Sequence, residues 1–357
     1  MITIKEALTK KEMKDYVMFS FELYKNNPYW IPPIIAEELE TFDKTKNPAL
    51  KTAEAHFYLA YKDNKIVGKI AAIINWEEVN LLEKRKVRFG WFDVIDDIEV
   101  TKVLLNKVEE LGRKHNMDHM EGPMGFSNLD KVGVLSEGFD QLGNMITWYS
   151  LPYYITHFEQ LGLVKEKEYI ESDFSFNGIN PEPFQKASEL IKKRYELRCL
   201  NFTKTKDIMP YVDKMFDLFN ETYSKLQSFV PINEIQKEYF KKKYIGFINP
   251  EFIKFIMDKD DNMIAFAIVM PGFAQALKKA NGKLFPFGFY HLLQARKHSK
   301  EIVFYLIGIT PEYQSKGVTA IVFDEYYKVC LAKGIETCIR TPELEENHAI
   351  HNLWKHF

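Results

Sequence analysis

The chain has few cysteines, no long apolar run and no leader-like start. Its three cysteines, Cys199, Cys330 and Cys338, are too few and too scattered for a disulfide framework or a thiolate metal site. No window approaches about 18 uninterrupted apolar residues, and the N-terminus is charged within its first few residues. These absences predict a cytoplasmic protein in a reducing compartment, with the three thiols packed as small hydrophobic side chains.

Charge of one sign is also lacking, since the net charge is −2 in 357 residues. Runs such as KKR (192–194) and KKK (241–243) are interpreted as solvated helix faces, so neither nucleic acid nor a membrane is expected as a partner. No G-x-x-x-x-G-K-[ST] or G-x-G-x-x-G occurs. His115 and His119 have i, i+4 spacing but lack the glutamate of H-E-x-x-H, and no metal is expected.

What is present is a duplication. EMKDYVMFSFELY (12–24) aligns with DIMPYVDKMFDLF (207–219), and YKDNKIVGKIAAII (61–74) resembles DKDDNMIAFAIVM (258–270) further along. With 46% hydrophobic and 27% charged residues, the composition is that of a globular protein, and the length suggests two domains. Two matches in the same order indicate that the domains are copies of one plan.

Each copy alternates strands and helices, which predicts an α/β (α+β) fold with a mixed, mostly antiparallel sheet flanked by helices. The boundary is expected in FSFNGINPEPF (174–184), giving domains 1–176 and 177–357. The predicted strands are ITIKEA, AHFYLAY, KIVGKIAAII and VRFGWFDV in the first copy, and LRCLNFT, EFIKFIMD, NMIAFAIVM, EIVFYLIGIT and IETCI in the second.

The stretch TPEYQSKGVTA (310–320) follows the apolar run IVFYLIGI, so a strand is predicted to turn sharply into a helix. The first amides of a helix form an anion site, because they lack intrahelical acceptors and the macrodipole is positive there. Gly317 allows a left-handed turn or close approach, Lys316 adds positive charge, and Ser315 to Ala320 offer a run of N–H donors. The sequence therefore predicts a phosphate site at this turn.

The same stretch resembles the signature of the GNAT (GCN5-related N-acetyltransferase) superfamily, Gln/Arg-x-x-Gly-x-Gly/Ala between a strand and a helix. Gln314 and Gly317 match, and Thr319 replaces the last Gly/Ala. The resemblance implies a tandem GNAT-like protein that binds acetyl-CoA or another acyl-CoA as substrate. The coenzyme-binding residues it implies are Ile307, Gly308, Ile309, Gln314, Ser315, Lys316, Gly317, Val318, Thr319, Ala320 and Asn347.

EENHAIHNLWKHF (345–357) resembles the fourth helix of that family, with Asn347 and Leu353 in matching positions. Many members have a tyrosine there that can protonate the departing thiolate, but this chain has Trp354, whose indole is no useful acid. For the general base, the sequence leaves Glu301, Tyr305 and Glu336 as alternatives.

The first copy has VIDDIEV (94–100) where the second has YQSKG. Asp96, Asp97 and Glu99 would cap a helix well but would repel a pyrophosphate. The first copy is therefore predicted to be degenerate and to serve as a scaffold, substrate platform or interface. Its YYITHFEQLGL (153–163) again resembles the fourth helix of the family. The long connection 271–300 is interpreted as a helical arm over the acceptor site or as packing decoration.

The resemblance implies direct transfer of an acyl group to an amine, a small molecule or peptide lying between the domains, in a ternary complex. A non-catalytic acyl-CoA or ligand-binding protein and an aminoacyl-transferring tandem GNAT-like enzyme stay open as alternatives. Acceptor, acyl length and oligomeric state are left undetermined. Since the chain stops at Phe357, the second domain is expected to lack its last strands, unless strands of the first copy complete its sheet.

Overall fold

The computed structural model describes every residue except Asn128, Lys225, Gln227, Ser228, Gly246 and the segment 348–357. The chain divides into two compact units. The first consists of Met1–Glu166 and Phe273–Leu292, and the second of Lys167–Gly272 and Leu293–Phe357.

The first unit is built around a five-stranded sheet in the order β1-β2-β3-β4-β5. All neighbours are antiparallel except β4 and β5. A tight turn joins β2 to β3 at Asp63 and Asn64, both with positive φ, as a two-residue hairpin requires. The strands are β1 (Ile2–Glu6), β2 (Ala53–Lys62), β3 (Lys65–Asn75), β4 (Lys86–Val94) and β5 (His119–Glu121).

Helices cover this sheet because their apolar residues recur at helical spacing. Leu104 and Val108 of the longest helix, α4, are fully buried against the sheet. Thr9 and Glu12 form a capping box that starts the first helix. The helices are α1 (Lys10–Leu23), α2 (Ile35–Thr41), α3 (Trp76–Leu82), α4 (Ile98–Lys114) and α5 (Tyr153–Gln160), with α10 (Ala274–Ala280) contributed from later in the chain.

The second unit contains a six-stranded sheet in the order β6-β11-β10-β9-β8-β7. Only β10 and β11 run parallel; the other neighbours are antiparallel. Both sheets are mixed and mostly antiparallel, which confirms the predicted fold class. The strands are β6 (Tyr169–Ser175), β7 (Arg198–Leu200), β8 (Ile253–Met257), β9 (Met263–Pro271), β10 (Glu301–Ile309) and β11 (Thr337–Leu344).

The core of the second unit lies between this sheet and α12. Ile321, Val322 and Cys330 of α12 are fully buried, and Cys338 lies beside them on β11. Cys199 is partly buried, so all three thiols pack as predicted. The remaining helices are α6 (Glu182–Arg194), α7 (Thr205–Ile208), α8 (Val212–Tyr223), α9 (Glu234–Phe240), α11 (Gly288–His298) and α12 (Thr319–Lys333), of which α11 begins in the first unit.

The outer edge of β11 is covered by β6, which pairs with it from Thr337↔Ser175 to Leu344↔Tyr169. The sequence placed these β6 residues in the first domain, with a boundary at 176 and 177, whereas the compact units divide between Glu166 and Lys167. A strand assigned to the first copy thus completes this edge of the second sheet. Such long-range pairing leaves no local sequence signature.

Candidate functional site

β10 and β11 part halfway along β10. Their parallel pairing runs from Glu301↔Thr337 to Phe304↔Arg340, whereas β10 continues to Ile309. On its other side, β10 has an irregularity in its pairing with β9 between Phe304 and Leu306, at Tyr305. The sheet therefore opens along the last five residues of β10.

The open edge of β10 presents backbone groups. Ile307 O accepts a hydrogen bond from the Tyr223 hydroxyl at 3.1 Å, and Ile309 O accepts one from the Gln314 side chain at 3.1 Å. Thr310 N donates in the opposite direction, to Ile264 O on β9. Because the N–H and C=O of one strand residue point to the same side, the N–H groups of Ile307 and Ile309 face the gap.

Gly308 lies between these two residues and faces α8. A Cβ atom at this position would lie 2.8 Å from the Thr222 hydroxyl and closer still to the Phe266 ring. Only glycine allows α8 and the Phe266 ring to approach the strand this closely. Gly308 thus sets the packing behind the open edge.

The turn after β10 has the conformation that the sequence predicted. Gly317 has φ +75°, and a Cβ atom there would lie 2.9 Å from Cδ1 of Ile191 on α6. The buried hydroxyl of Thr310, where the turn begins, has no hydrogen-bond partner within the described part of the chain. The positive φ of Gly317 and its closeness to Ile191 together require glycine at the start of α12.

The predicted run of amide donors is shorter than expected. Lys316 N donates to Tyr313 O at 3.1 Å and Ala320 N donates to Gly317 O at 2.9 Å, so the turn itself uses both. Of the six amides from Ser315 to Ala320, the other four have no hydrogen-bond acceptor among the described residues: those of Ser315, Gly317, Val318 and Thr319. Free N–H donors at the start of a long helix are the groups that bind anions in proteins.

Positive charge flanks the turn. The Lys316 ammonium lies 4.0 Å from the centre of the Tyr313 ring and 5.2 Å from that of Tyr195. The Arg194 guanidinium, at the end of α6, lies 5.4 Å from the same Tyr195 ring. These cation–π contacts place the cations of Lys316 and Arg194 at the same Tyr195 ring.

The predicted catalytic residues are spread along the sheet. Tyr305 lies at the irregularity where the strands part, whereas Glu301 lies four residues earlier, about 13 Å away along the strand. Burial, with a smaller contribution from Asp173, raises the pKa of Glu301. Glu336 is exposed and pairs with Lys300 at 3.3 Å.

Two other predicted positions lie near the end of the chain. Trp354 and the matching Leu353 are outside the described residues. Asn347 is exposed, and its N–H donates to Leu344 O at 2.9 Å.

Sequence reasoning missed Tyr223, the last residue of α8, whose hydroxyl lies at the open edge of β10. Burial raises its pKa to about 12, against the opposing effect of the Ile307 carbonyl contact. Tyr223 therefore stays protonated and acts as a donor near neutral pH. Its ring stacks on Phe219 with centroids 4.3 Å apart. In sequence it reads only as one more apolar residue on the buried face of a helix.

In the first unit, the equivalent helix start and strand edge contact the unit's own side chains. The Asp97 carboxylate accepts from Glu99 N at 3.1 Å and pairs with Lys62 at 2.8 Å, capping α4. Tyr153 donates to Val94 O at 2.6 Å, and Val94 N donates to the Tyr154 hydroxyl at 3.1 Å. A carboxylate and two tyrosines therefore occupy the places that are open in the second unit.

The described residues contain no group of three or more His, Cys, Asp or Glu side chains arranged to hold a metal ion. None of their helices combines the length and apolar character needed to cross a bilayer.

Comparison with known proteins yields two curated relatives. Protein YghO of Escherichia coli (strain K12) is 27% identical over 326 residues, covering 89% of this chain and 81% of that protein. The bacterial ceramide synthase of Caulobacter vibrioides is 25% identical over 311 residues, covering 86% and 80%. No protein-family profile matches the chain.

Solved structures resemble the whole chain. A tandem GNAT protein from the clavulanic acid biosynthesis pathway has a TM-score of 0.55 at 10% identity, covering 99% of this chain and 93% of its own. A GCN5-related N-acetyltransferase from Sphaerobacter thermophilus has a TM-score of 0.51 at 8% identity, covering 99% and 91%. At such identities the likeness concerns the fold.

Proposed function

The chain has the tandem GNAT fold, and from this premise we propose that it is an acyl-CoA-dependent N-acyltransferase whose second unit holds the coenzyme. The observation that carries the proposal is the combination of an opened strand pair with four available amides at the start of α12. The opening between the strands suits the extended pantetheine arm of coenzyme A, and the amides suit its pyrophosphate.

The residues present fit coenzyme A. The amides of Ser315, Gly317, Val318 and Thr319 would hold the pyrophosphate, and Lys316 would add charge. Thr319 replaces the family's Gly/Ala, but its amide, like the other three, has no acceptor among the described residues. The N–H groups of Ile307 and Ile309 would bind the amide carbonyls of the pantetheine arm, much as a further strand would bind the sheet edge.

Direct transfer balances without a covalent enzyme intermediate. The neutral amine attacks the thioester carbonyl, a C–N bond forms, the C–S bond breaks, and the proton lost by nitrogen is matched by one gained by sulfur. Tyr223 and Tyr305 lie where the strands part. We assign Tyr223 the role of a positioning residue, because its hydroxyl fixes the Ile307 carbonyl.

For the acceptor, we propose a long-chain amino alcohol, with a long-chain acyl-CoA as donor. The support is the relative described as a bacterial ceramide synthase, which aligns with 86% of this chain. A ceramide is the amide of a long-chain amino alcohol and a fatty acid, so its synthesis is an N-acyl transfer. The N-acyl chemistry and the choice of acceptor can be tested separately.

The test combines binding and turnover. Calorimetry with coenzyme A and palmitoyl-CoA measures binding, and thiol release is then followed with a long-chain amino alcohol, a polyamine and a peptide amine. We expect binding and release of thiol with the long-chain amine. Binding without release of thiol in the presence of any amine would instead favour a non-catalytic acyl-CoA-binding protein. Absence of binding would contradict both the enzyme and the binding protein.

A further inference from the structure

The connection between β9 and β10 exposes four aromatic side chains close together in sequence. Phe285 is 78% exposed, Phe287 70%, Phe289 50% and Tyr290 57%. Phe285 and Phe289 stack on each other with their ring centroids 6.4 Å apart. We call these four residues the aromatic patch. Contiguous exposed aromatics are uncommon on a protein surface and mark interaction sites.

The backbone that carries the aromatic patch is anchored to the first unit. Gly282, with φ +78°, is buried so tightly that a Cβ atom would lie 2.6 Å from the Phe21 ring. Its carbonyl accepts a hydrogen bond from Ile35 N at 2.9 Å. Close packing of Gly288 against the Lys283 carbonyl fixes the other end. The rings are therefore held outward by an ordered loop.

Charge around the aromatic patch is entirely positive in sequence. No aspartate or glutamate occurs between Asn262 and Glu301, although the whole chain has a net charge of −2. Lys279 and Lys283, beside the patch in the chain, are both exposed. The basic residues of this segment are Lys278, Lys279, Lys283, Arg296, Lys297 and Lys300.

We propose that the aromatic patch docks the protein onto an anionic lipid bilayer. Aromatic rings flanked by lysines suit the bilayer interface, where rings insert at headgroup level and lysines meet anionic lipids. The expectation of no membrane partner followed from the overall charge and the lack of a long apolar run. Neither describes this local segment. The proposal goes beyond acyl transfer and does not depend on it, because docking can be measured without substrate.

Co-sedimentation with vesicles tests the proposal on the full chain. Vesicles of phosphatidylcholine alone are compared with an equal mixture of phosphatidylcholine and phosphatidylglycerol. Wild type is expected to sediment with the mixed vesicles and less at high salt. Phe285→Ser/Phe287→Ser is expected to weaken binding at least tenfold, since each ring loses its apolar burial. Lys279→Gln/Lys283→Gln is expected to weaken it several-fold on the mixed vesicles only.

Matched controls change similar residues elsewhere. Leu190→Ser/Leu331→Ser removes two side chains that are 64% and 69% exposed, and Lys14→Gln/Lys102→Gln removes two exposed lysines. Both controls should bind as wild type does, and Phe287→Trp should retain binding. All variants change exposed positions, so an unchanged thermal midpoint confirms their folding.

Three results would overturn the proposal. Wild type could remain in the supernatant with both vesicles, or the phenylalanine variant could bind as well as its leucine control. Alternatively, sedimentation velocity without lipid could show a dimer that the phenylalanine variant loses. This last result would identify the patch as an interface between copies of the chain.

Discussion

Replacing Gly317 with glutamate should weaken coenzyme A binding about a hundredfold or more while the protein remains folded. Gly317 has φ +75° and contributes one of the four available amides of the turn. A glutamate there would place a carboxylate among donors that await an anion. The variant therefore tests electrostatics at the proposed pyrophosphate site.

The magnitude follows from two terms. A carboxylate about 5 Å from a phosphate charge, at an effective dielectric constant of about 20, costs roughly 3 kcal/mol, which corresponds to about a hundredfold or more in Kd. A side chain at positive φ costs the fold about 1–2 kcal/mol. Gly317→Ala lacks the carboxylate but keeps the backbone cost and the close contact of its Cβ with Ile191 Cδ1, so it should lower the thermal midpoint and weaken binding a few-fold.

Gly334 supplies the matched control. It has φ +63° at the opposite end of α12, so Gly334→Ala carries a similar backbone cost away from the turn. Calorimetry with coenzyme A, alongside thermal melts, should show wild-type affinity for this variant. Equal affinity of Gly317→Glu and Gly317→Ala would contradict an anion site at this turn, and so would a loss of affinity in Gly334→Ala as large as that in Gly317→Glu.

Three further predictions concern the second unit. Tyr223→Phe removes the hydrogen bond to Ile307 O, so the free energy of unfolding should fall by about 1 kcal/mol. The kcat for acyl transfer should fall as well, with no new pH dependence below the Tyr223 pKa of about 12. A variant with full kcat would contradict a positioning role. Burial alone would raise the pKa of the Glu325 carboxyl, but hydrogen bonds from Lys192 and Asn201 lower this pKa from 4.5 to about 2. A depressed carboxyl pKa stabilises the fold above the unfolded value, so stability should decline as pH falls from about 4.5 toward 2, and less steeply in Glu325→Gln melts. Finally, burial raises the pKa of every thiol, so alkylation near pH 8 should be slow in the native protein and rapid after unfolding, for Cys199, Cys330 and Cys338 alike.

Local features of the fold could be read from the sequence. The turn at Gly317 follows from a glycine placed between an apolar strand and a helix, and the cap at Asp97 follows from carboxylates at a helix start. In both cases neighbouring residues dictate the conformation. Periodicity likewise predicted β1 to β4 and β7 to β11, whereas β5 and β6 were not among the predicted strands.

Features that depend on distant contacts could not be predicted. The pairing of β6 with β11 joins segments far apart in the chain, and the packing of Gly282 against Phe21 brings the connection after β9 into the first unit. The role of Tyr223 depends on which carbonyl its hydroxyl meets. The sequence predicted that the amides of Lys316 and Ala320 could bind an anion. Their hydrogen bonds to carbonyls within the turn depend on the backbone conformation, which the residue types alone do not show.

The most direct test of the central claim is a product assay with palmitoyl-CoA and a long-chain amino alcohol. Mass spectrometry should detect the N-acyl amide, formed in equal amount to free coenzyme A by wild type and by Gly334→Ala but not by Gly317→Glu. Equal product from wild type and Gly317→Glu, or coenzyme A release without any amide, would contradict acyl transfer at this turn.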